Sequence, residues 1–468
     1  MLFTTAKFLG FFLVVFSIFW LLPRQRLRLG WLILASLVFY GSWSVPFLAL
    51  LVGTATFTYV AGLLLERADS PGRRKLLLGV ALTAVLGILC FFKYANFALG
   101  NTFALLRAAG LTERSPLVDV LLPLGISFYT FELVSYLVDV YRRRIPAQRD
   151  ALHFALYVLF FPRLVAGPIV RPDEFFPQLG KFALPDWDRA QVALQMVLLG
   201  LFQKAILADH LALAIDPVFA DPGAFGSASV WLAMLGYAIQ VYCDFAGYSL
   251  MALGMARLLG FRLPMNFRMP YFSASLPEFW QRWHMTLSRW IRDYVYIPLG
   301  GSRGGEWKTT RNVVLTMTLC GLWHGASWTY ILWGAYHGVL LALHRLMPPR
   351  PLWWSSPLLR PVHVATTFLV CVFGLVLVRA ASLADAGLIY QRLLSPVAGQ
   401  GVQEALAFTV CSTFLLILSV HLFAHSFSLA RFERRVPAFV LGAFLAILML
   451  GSLLLQPMSG AVFIYFQF

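Results

Sequence analysis

What most limits this chain is a succession of long apolar blocks, separated from end to end by short basic or Pro/Gly-rich connections. Blocks of this length leave too little polar surface to coat a soluble particle, so their solvent is lipid. Composition agrees: 60% of the 468 residues are hydrophobic and 12% charged, against roughly 25% charged in soluble domains. Disordered, fibrous, small secreted and soluble-enzyme classes are excluded. The expected fold class is an all-α polytopic membrane protein.

Spans are expected near residues 8–22, 29–43, 46–65, 76–92, 117–140, 151–170, 190–207, 230–256, 312–345, 362–380, 405–424 and 438–456. A crossing takes roughly 20 apolar residues, so the shorter blocks tilt or re-enter, leaving about eleven transmembrane helices. Three early loops carry Arg24, Arg26 and Arg28, then Arg67, Arg73, Arg74 and Lys75, then Arg142, Arg143, Arg144 and Arg149. The alternating positions hold only Lys7, Lys93, Arg107 and Arg114. The positive-inside rule places the richer set in the cytoplasm and the N-terminus outside. Such loops and anionic headgroups account for the net charge of +16 without nucleic acid. The five cysteines have no CxxC or CxxH spacing, so no disulfide framework, metal site or resident cofactor is expected. No small-residue cleavage site follows the first block, so Met1 to Leu22 reads as a retained span. No inserted soluble domain and no repeated half appear, which suggests one domain over 1–468 and counts against a repeat-built transporter.

The most unusual stretch is SLPEFWQRWHMTLSRWIRDYVYIPLGGSR, residues 275–303. Ser275 and Glu278 have capping-box spacing and Pro277 falls in the first turn, so a helix begins here. Trp280, Trp283, Leu287, Trp290 or Ile291, and Tyr294 then share one face, with Arg282, Arg289, Arg292 and Asp293 among and opposite them. A basic, Trp-rich amphipathic helix is expected to lie in the headgroup plane. On periodicity alone it is an anchor and His284 a structural hydrogen-bonding residue.

The stretch 312–345 encloses His324 between Gly321 and Gly325. An imidazole among apolar residues is costly unless it faces a protein cavity, which makes it a functional candidate. A neutral histidine there takes a proton from a weak nucleophile and returns it to a leaving group. A helix-to-helix hydrogen bond is the competing reading. His337 and His344 look like packing and interface residues. Two prolines in FPRLVAGPIVRP (161–172) break that block at membrane depth, where only protein or a water-filled cavity satisfies the freed backbone. Glu132, Asp139, Arg163, Gln240 and Asp244 are the other polar residues at depth. Structural pairing is expected for each of them, although a buried guanidinium at Arg163 also suits phosphate or carbonyl contacts.

Together, WQRWHMTLSRWIRDYVYIPLGG, NVVLTMTLCGLWHGASWTYILWGAYHG, LLPLGISFYTFELVSYLVDVYR and FPRLVAGPIVRP resemble the membrane-bound O-acyltransferase (MBOAT) family. The similar branch is the bacterial alginate O-acetylation one, whose relatives serve cellulose, peptidoglycan and teichoic-acid acylation. The resemblance implies a ring of tilted helices around a central tunnel, with residues 115–345 as catalytic core and 457–468 as a C-terminal aromatic tail. It implies that His324, in WHG, is the family's base, and that His284, in RWH, is the second family position, often His or Asn. It further implies that Phe463, Tyr465 and Phe468 form a Phe-x-Tyr-x-x-Phe pattern whose tyrosine carries the acyl group. Arg163, Asp244, Glu278, Arg282 and Trp323 are the residues expected to contact donor or acceptor. The implied donor is a cytoplasmic acetyl thioester, acetyl-CoA in its simplest form. Implied partners are a periplasmic SGNH-type (Ser-His-Asp) acetyltransferase and a polysaccharide synthase or export complex, at the bacterial inner membrane. Direct acylation of a glycan, a transporter or flippase, and a scaffold subunit with structural histidines stand as alternatives. A folded His324→Ala variant separates them by acetyl transfer.

Overall fold

The computed structural model describes residues 1–112, 118, 120–180, 182, 186–347, 356–402, 404–426 and 438–457. Their regular elements are helices, with one isolated bridge between Phe225 and Gln400. Two compact units arise, one of Met1–Leu194 with Ala252–Pro264, the other of Gln195–Met251 with Met265–Phe468.

The first unit begins with α1 (Ala6–Leu21), α2 (Gln25–Gly41), α3 (Val45–Arg67), α4 (Pro71–Ala108), α5 (Ile126–Tyr141) and α6 (Ala151–Leu159). Thr5, Ser44, Ser70 and Asp150 each accept a first-turn N–H, and prolines open α3 and α4. These caps satisfy backbone donors that no preceding turn can reach. Phe8, Phe12, Val15 and Phe19 line the buried stripe of α1. Phe8, Phe11 and Phe39 close around Phe161 with ring centres 5.4–6.3 Å apart. The buried Arg74 guanidinium donates to the carbonyls of Leu65, Val140 and Tyr141 at 2.5, 3.1 and 2.8 Å. It thereby serves the C-terminal ends of α3 and α5, where carbonyls lack partners and the helix dipole favours a cation. Arg26–Asp150 and Arg149–Glu66 pairs join the same region, so the three Arg-rich loops meet at one end of this unit.

Two expected spans are shorter than their apolar blocks. In the block at 117–140, residues 120–125 are not helical and the helix starts at Ile126, behind Gly125 at φ 71°. The block at 151–170 leaves the helix at Leu159 and continues as α7 (Phe161–Leu164), a turn over 165–167, irregular chain and α8 (Pro172–Phe175). Pro162 and Pro168 supply no N–H to a ladder and disfavour helix in the residue before them. Residues 160–170 are nonetheless all buried.

Helix α9 (Trp187–Leu201) runs through a π-helical turn at Phe202–Ala208 into α10 (Asp209–Ala220). Helix α11 (Ser227–Leu258) follows, and in the second unit it lies against that turn. A Cβ on Gly200 would sit 2.5 Å from the Gly247 carbonyl oxygen, and one on Gly247 would sit 2.6 Å from that of Gly200. Only glycines permit this crossing. The remaining helices are α12 (Leu276–Arg282), α13 (Met285–Ile291), α14 (Glu306–His324), α15 (Trp328–Leu346), α16 (Arg360–Arg379), α17 (Leu383–Leu394), α18 (Glu404–Ser426) and α19 (Ala438–Leu454). Five helical stretches among the described residues are long and apolar enough to cross a membrane: Val45–Arg67, Pro71–Ala108, Trp187–Ala220, Ser227–Leu258 and Arg360–Arg379. The block at 312–345, expected as one span, is instead a hairpin of α14 and α15 turning at Gly325–Ser327.

Candidate active site

His324 is the last residue of α14, and the hairpin around it is assembled from small residues. Gly321 faces the Tyr330 carbonyl and Gly334, Gly334 faces the Met317 carbonyl, and Gly338 lies against Val314. With no side chains between them, the two backbones touch. Ser327 accepts the Tyr330 N–H at 3.4 Å and starts α15 immediately after the turn. This geometry sets the His324 ring 5.1 Å from Trp333 and 4.8 Å from Trp323, with 7% of the residue exposed.

His284 reaches the same cluster from a different element. The helix expected to carry one face from Trp280 to Tyr294 begins at the Ser275 cap but breaks after Arg282, with Trp283 extended and His284 at φ 41°. The left-handed region is sparsely used by residues with a Cβ, so it persists only where surroundings hold it. Here Asn266 does so: its carbonyl accepts the Met285 N–H at 2.9 Å and its Oδ1 accepts the Thr286 hydroxyl at 2.6 Å. Its amide in turn donates to Ser249 Oγ at 3.1 Å. The Arg268 N–H also donates to the Arg282 carbonyl at 2.9 Å. Most of the apolar face of this segment is covered by protein, Trp280 and Tyr294 being half-buried. Trp283, Leu287, Trp290 and Ile291 are buried, and Trp283 packs on Phe267, Phe279 and Tyr271 with ring centres 5.1, 5.5 and 5.9 Å away. Periodicity reveals an apolar face, not what covers it.

His284 is fully buried, 4.7 Å from Phe245, and its ring centre lies 6.4 Å from that of His324. Two histidines in separate sequence motifs thus become neighbours. His284 stands outside the five candidate spans, and burial, with the His324 ring as a lesser cause, pushes its imidazole well below its ordinary value. A buried neutral imidazole beside another is an arrangement for moving a proton without creating a lasting charge.

Trp323 contacts both histidines, at 6.4 Å from His284. Glu278 accepts the Ala274 N–H at 2.7 Å and pairs with Arg282 at 2.7 Å and Arg360 at 3.9 Å, so it fastens the start of α12. Asp244 on α11 pairs with Lys204 at 2.6 Å, and Lys204 also pairs with Asp209 at 2.7 Å. In the first unit, Arg163 pairs with Glu132, and its guanidinium lies 5.1 and 5.0 Å from the Tyr157 and Phe175 ring centres. Tyr465 lies outside the described residues. Sequence reasoning missed Asn266, for which no signal was present, and Lys204, whose signal was a lone ammonium in an apolar run. His337, read as a packing residue, is 5.2 Å from Trp333 and so belongs to the same ring cluster.

A family model described as MBOAT, membrane-bound O-acyltransferase family, matches residues 76–350. The chain is 43% identical over 398 residues to a protein named probable alginate O-acetylase AlgI from Pseudomonas putida, covering 84% of this chain and 80% of that one. It is 36% identical over 370 residues to a peptidoglycan O-acetyltransferase from Helicobacter pylori, covering 73% and 68%. It is 32% identical over 238 residues to a teichoic acid D-alanyltransferase from Bacillus subtilis, covering 47% and 58%.

Proposed function

Because the chain belongs to the membrane-bound O-acyltransferase family, and is therefore an O-acyltransferase, we propose that it passes acetyl groups from a cytoplasmic thioester, acetyl-CoA, toward an exported polysaccharide at the bacterial inner membrane. The alginate and peptidoglycan acetylases it is similar to point to a carbohydrate hydroxyl as the final acceptor. This reading takes the shorter apolar helices as further crossings, about eleven in all, and adopts the family's ring around a tunnel.

His324 acts as general base. The acceptor hydroxyl gives its proton to the imidazole as its oxygen attacks the thioester carbonyl carbon. The C–S bond then breaks, and the proton passes to the departing thiolate. His284 and Trp323 position donor or acceptor against it. Arg163, Asp244, Glu278 and Arg282, all engaged in ion pairs, hold the elements in place. Tyr465 is the first acceptor in this scheme. Its phenol needs a base at neutral pH, and its acetyl ester is a better leaving group than an alkyl ester. A periplasmic SGNH-type partner associated with the synthase complex completes the transfer.

The observation that carries the reading is the juxtaposition of His324 and His284 in one buried ring cluster. The test is thiol release from acetyl-CoA, and acetate retained on protein or glycan, in membranes carrying His324→Ala or Tyr465→Phe. Loss of both signals in a folded His324→Ala protein is expected. Acetylated glycan at parental level from Tyr465→Phe would remove the tyrosine relay and leave direct transfer.

A further inference from the structure

Beside His324 lies a set of buried ring nitrogens that the scheme above does not use. Trp333 of α15 touches His324, and its ring centre is 5.9 Å from that of Trp280 on α12. His337, one turn further along α15, is 5.3 Å from Trp280 and 5.2 Å from Trp333, so the three rings are in mutual contact. The Nε1 atoms of both tryptophans and Nδ1 of His337 are buried and have no hydrogen-bond partner among the described residues. Trp333 is 7% and His337 2% exposed. An indole N–H only donates, and burying it unpaired is unfavourable. Such groups persist where a ligand supplies the acceptor; here Trp333 stands next to the proposed base and Trp280 stands next to Trp333.

The ring set is also held firmly. A Cβ on Gly374 of α16 would come within 2.8 Å of His337 Nε2, so the imidazole is seated against that helix with no room to swing toward it. Trp280 is set by the Ser275 cap of α12 and Trp333 by the glycine crossing of the hairpin. Donors fixed in advance, in a site from which water is excluded, stabilise charge that develops during a reaction better than mobile ones.

We infer that the indole N–H groups of Trp280 and Trp333 form the site for the acyl carbonyl oxygen, with His337 as a positioning residue that fixes the two indoles relative to each other. This rests on the reading of His324 as base. In the step concerned, the acceptor oxygen forms a bond to the thioester carbon and its proton goes to His324. The carbonyl π pair moves onto oxygen, giving a tetrahedral oxyanion that both indoles hold. Re-forming the carbonyl expels the thiolate, which takes the proton back from His324.

The test replaces each indole N–H by sulfur, using 3-benzothienylalanine at position 333 or 280 of the full-length protein in membranes, so that ring shape and packing are retained. Trp333→Phe and Trp280→Phe serve as coded counterparts. Thiol release is followed with acetyl-CoA and with its dithioester analogue, whose C=S group accepts hydrogen bonds weakly. The expected result is a kcat about 10²–10³-fold lower for each benzothienyl variant, a KM for acetyl-CoA within about threefold of the parent, and a parental preference for oxygen over sulfur that falls by about tenfold or more. A merely structural role would leave that preference unchanged. If both benzothienyl variants keep the parental kcat and oxygen preference while His324→Ala is inactive, the carbonyl site is overturned and the base stands. If His324→Ala itself keeps parental thiol release, the underlying reading fails first and the carbonyl site fails with it.

Discussion

Lys204 offers the sharpest test of how the second unit is held together. Its ammonium lies 2.7 Å from Asp209 and 2.6 Å from Asp244, and the three side chains are only 8%, 6% and 3% exposed. The π-helical turn and the Gly200–Gly247 crossing place them there. Replacing Lys204 by Met removes the ammonium with which both carboxylates pair. Breaking a buried pair from one side costs about 3–5 kcal/mol, and like charges add to it. Asp244→Asn removes one of the two ion pairs and keeps the Lys204–Asp209 pair, so it costs less than removing the ammonium. The expected order of destabilisation is therefore Lys204→Met, then Asp244→Asn, with the triple variant Lys204→Met/Asp209→Asn/Asp244→Asn recovering much of the loss, since no uncompensated charge remains. Unfolding midpoints of the detergent-solubilised variants, paired with acetyl transfer per folded molecule, measure this. A Lys204→Met protein no less stable than Asp244→Asn, or a triple variant worse than Lys204→Met, would refute charge compensation as what holds this crossing.

Gly334→Ala forces a Cβ into the Met317 carbonyl, whereas a Cβ on Gly442 of α19 meets nothing within 4 Å. Thiol release is expected to fall at least about tenfold in Gly334→Ala, as the hairpin shifts His324, and to stay at the parental level in Gly442→Ala. Asn266→Ala removes the acceptor of the Thr286 hydroxyl and the donor to Ser249, and is expected to cost about 1–3 kcal/mol with loss of activity. A cycle with Thr286→Val should be clearly non-additive in unfolding midpoint. His284 is held neutral in the fold, while the unfolded chain takes up a proton below its ordinary value of about 6.5. Its contribution is thus fully present above that pH and declines as pH falls below it. Stability measured from pH 7.5 to about 5 should flatten in His284→Gln.

The amino-acid order alone determined the solvent, the helical class and the two histidines worth attention, because long apolar blocks and costly imidazoles are local properties. It also determined the α12 start, since Ser275, Pro277 and Glu278 act within one turn. It did not reveal that 312–345 folds back on itself. The Gly321, Gly334 and Gly338 pattern is compatible with one long helix until the second backbone is in contact. Nor did it reveal the break at His284, because a positive φ there is held by Asn266 from a separate loop. Only the tertiary structure brought His284 within 6.4 Å of His324, seated Trp280 and His337 beside Trp333, and gave Asp244 its Lys204. Capping and periodicity are written over a few successive residues. Ion pairs and ring clusters between distant elements depend on how helices cross, and that is set by close backbone approach and burial summed over the whole unit.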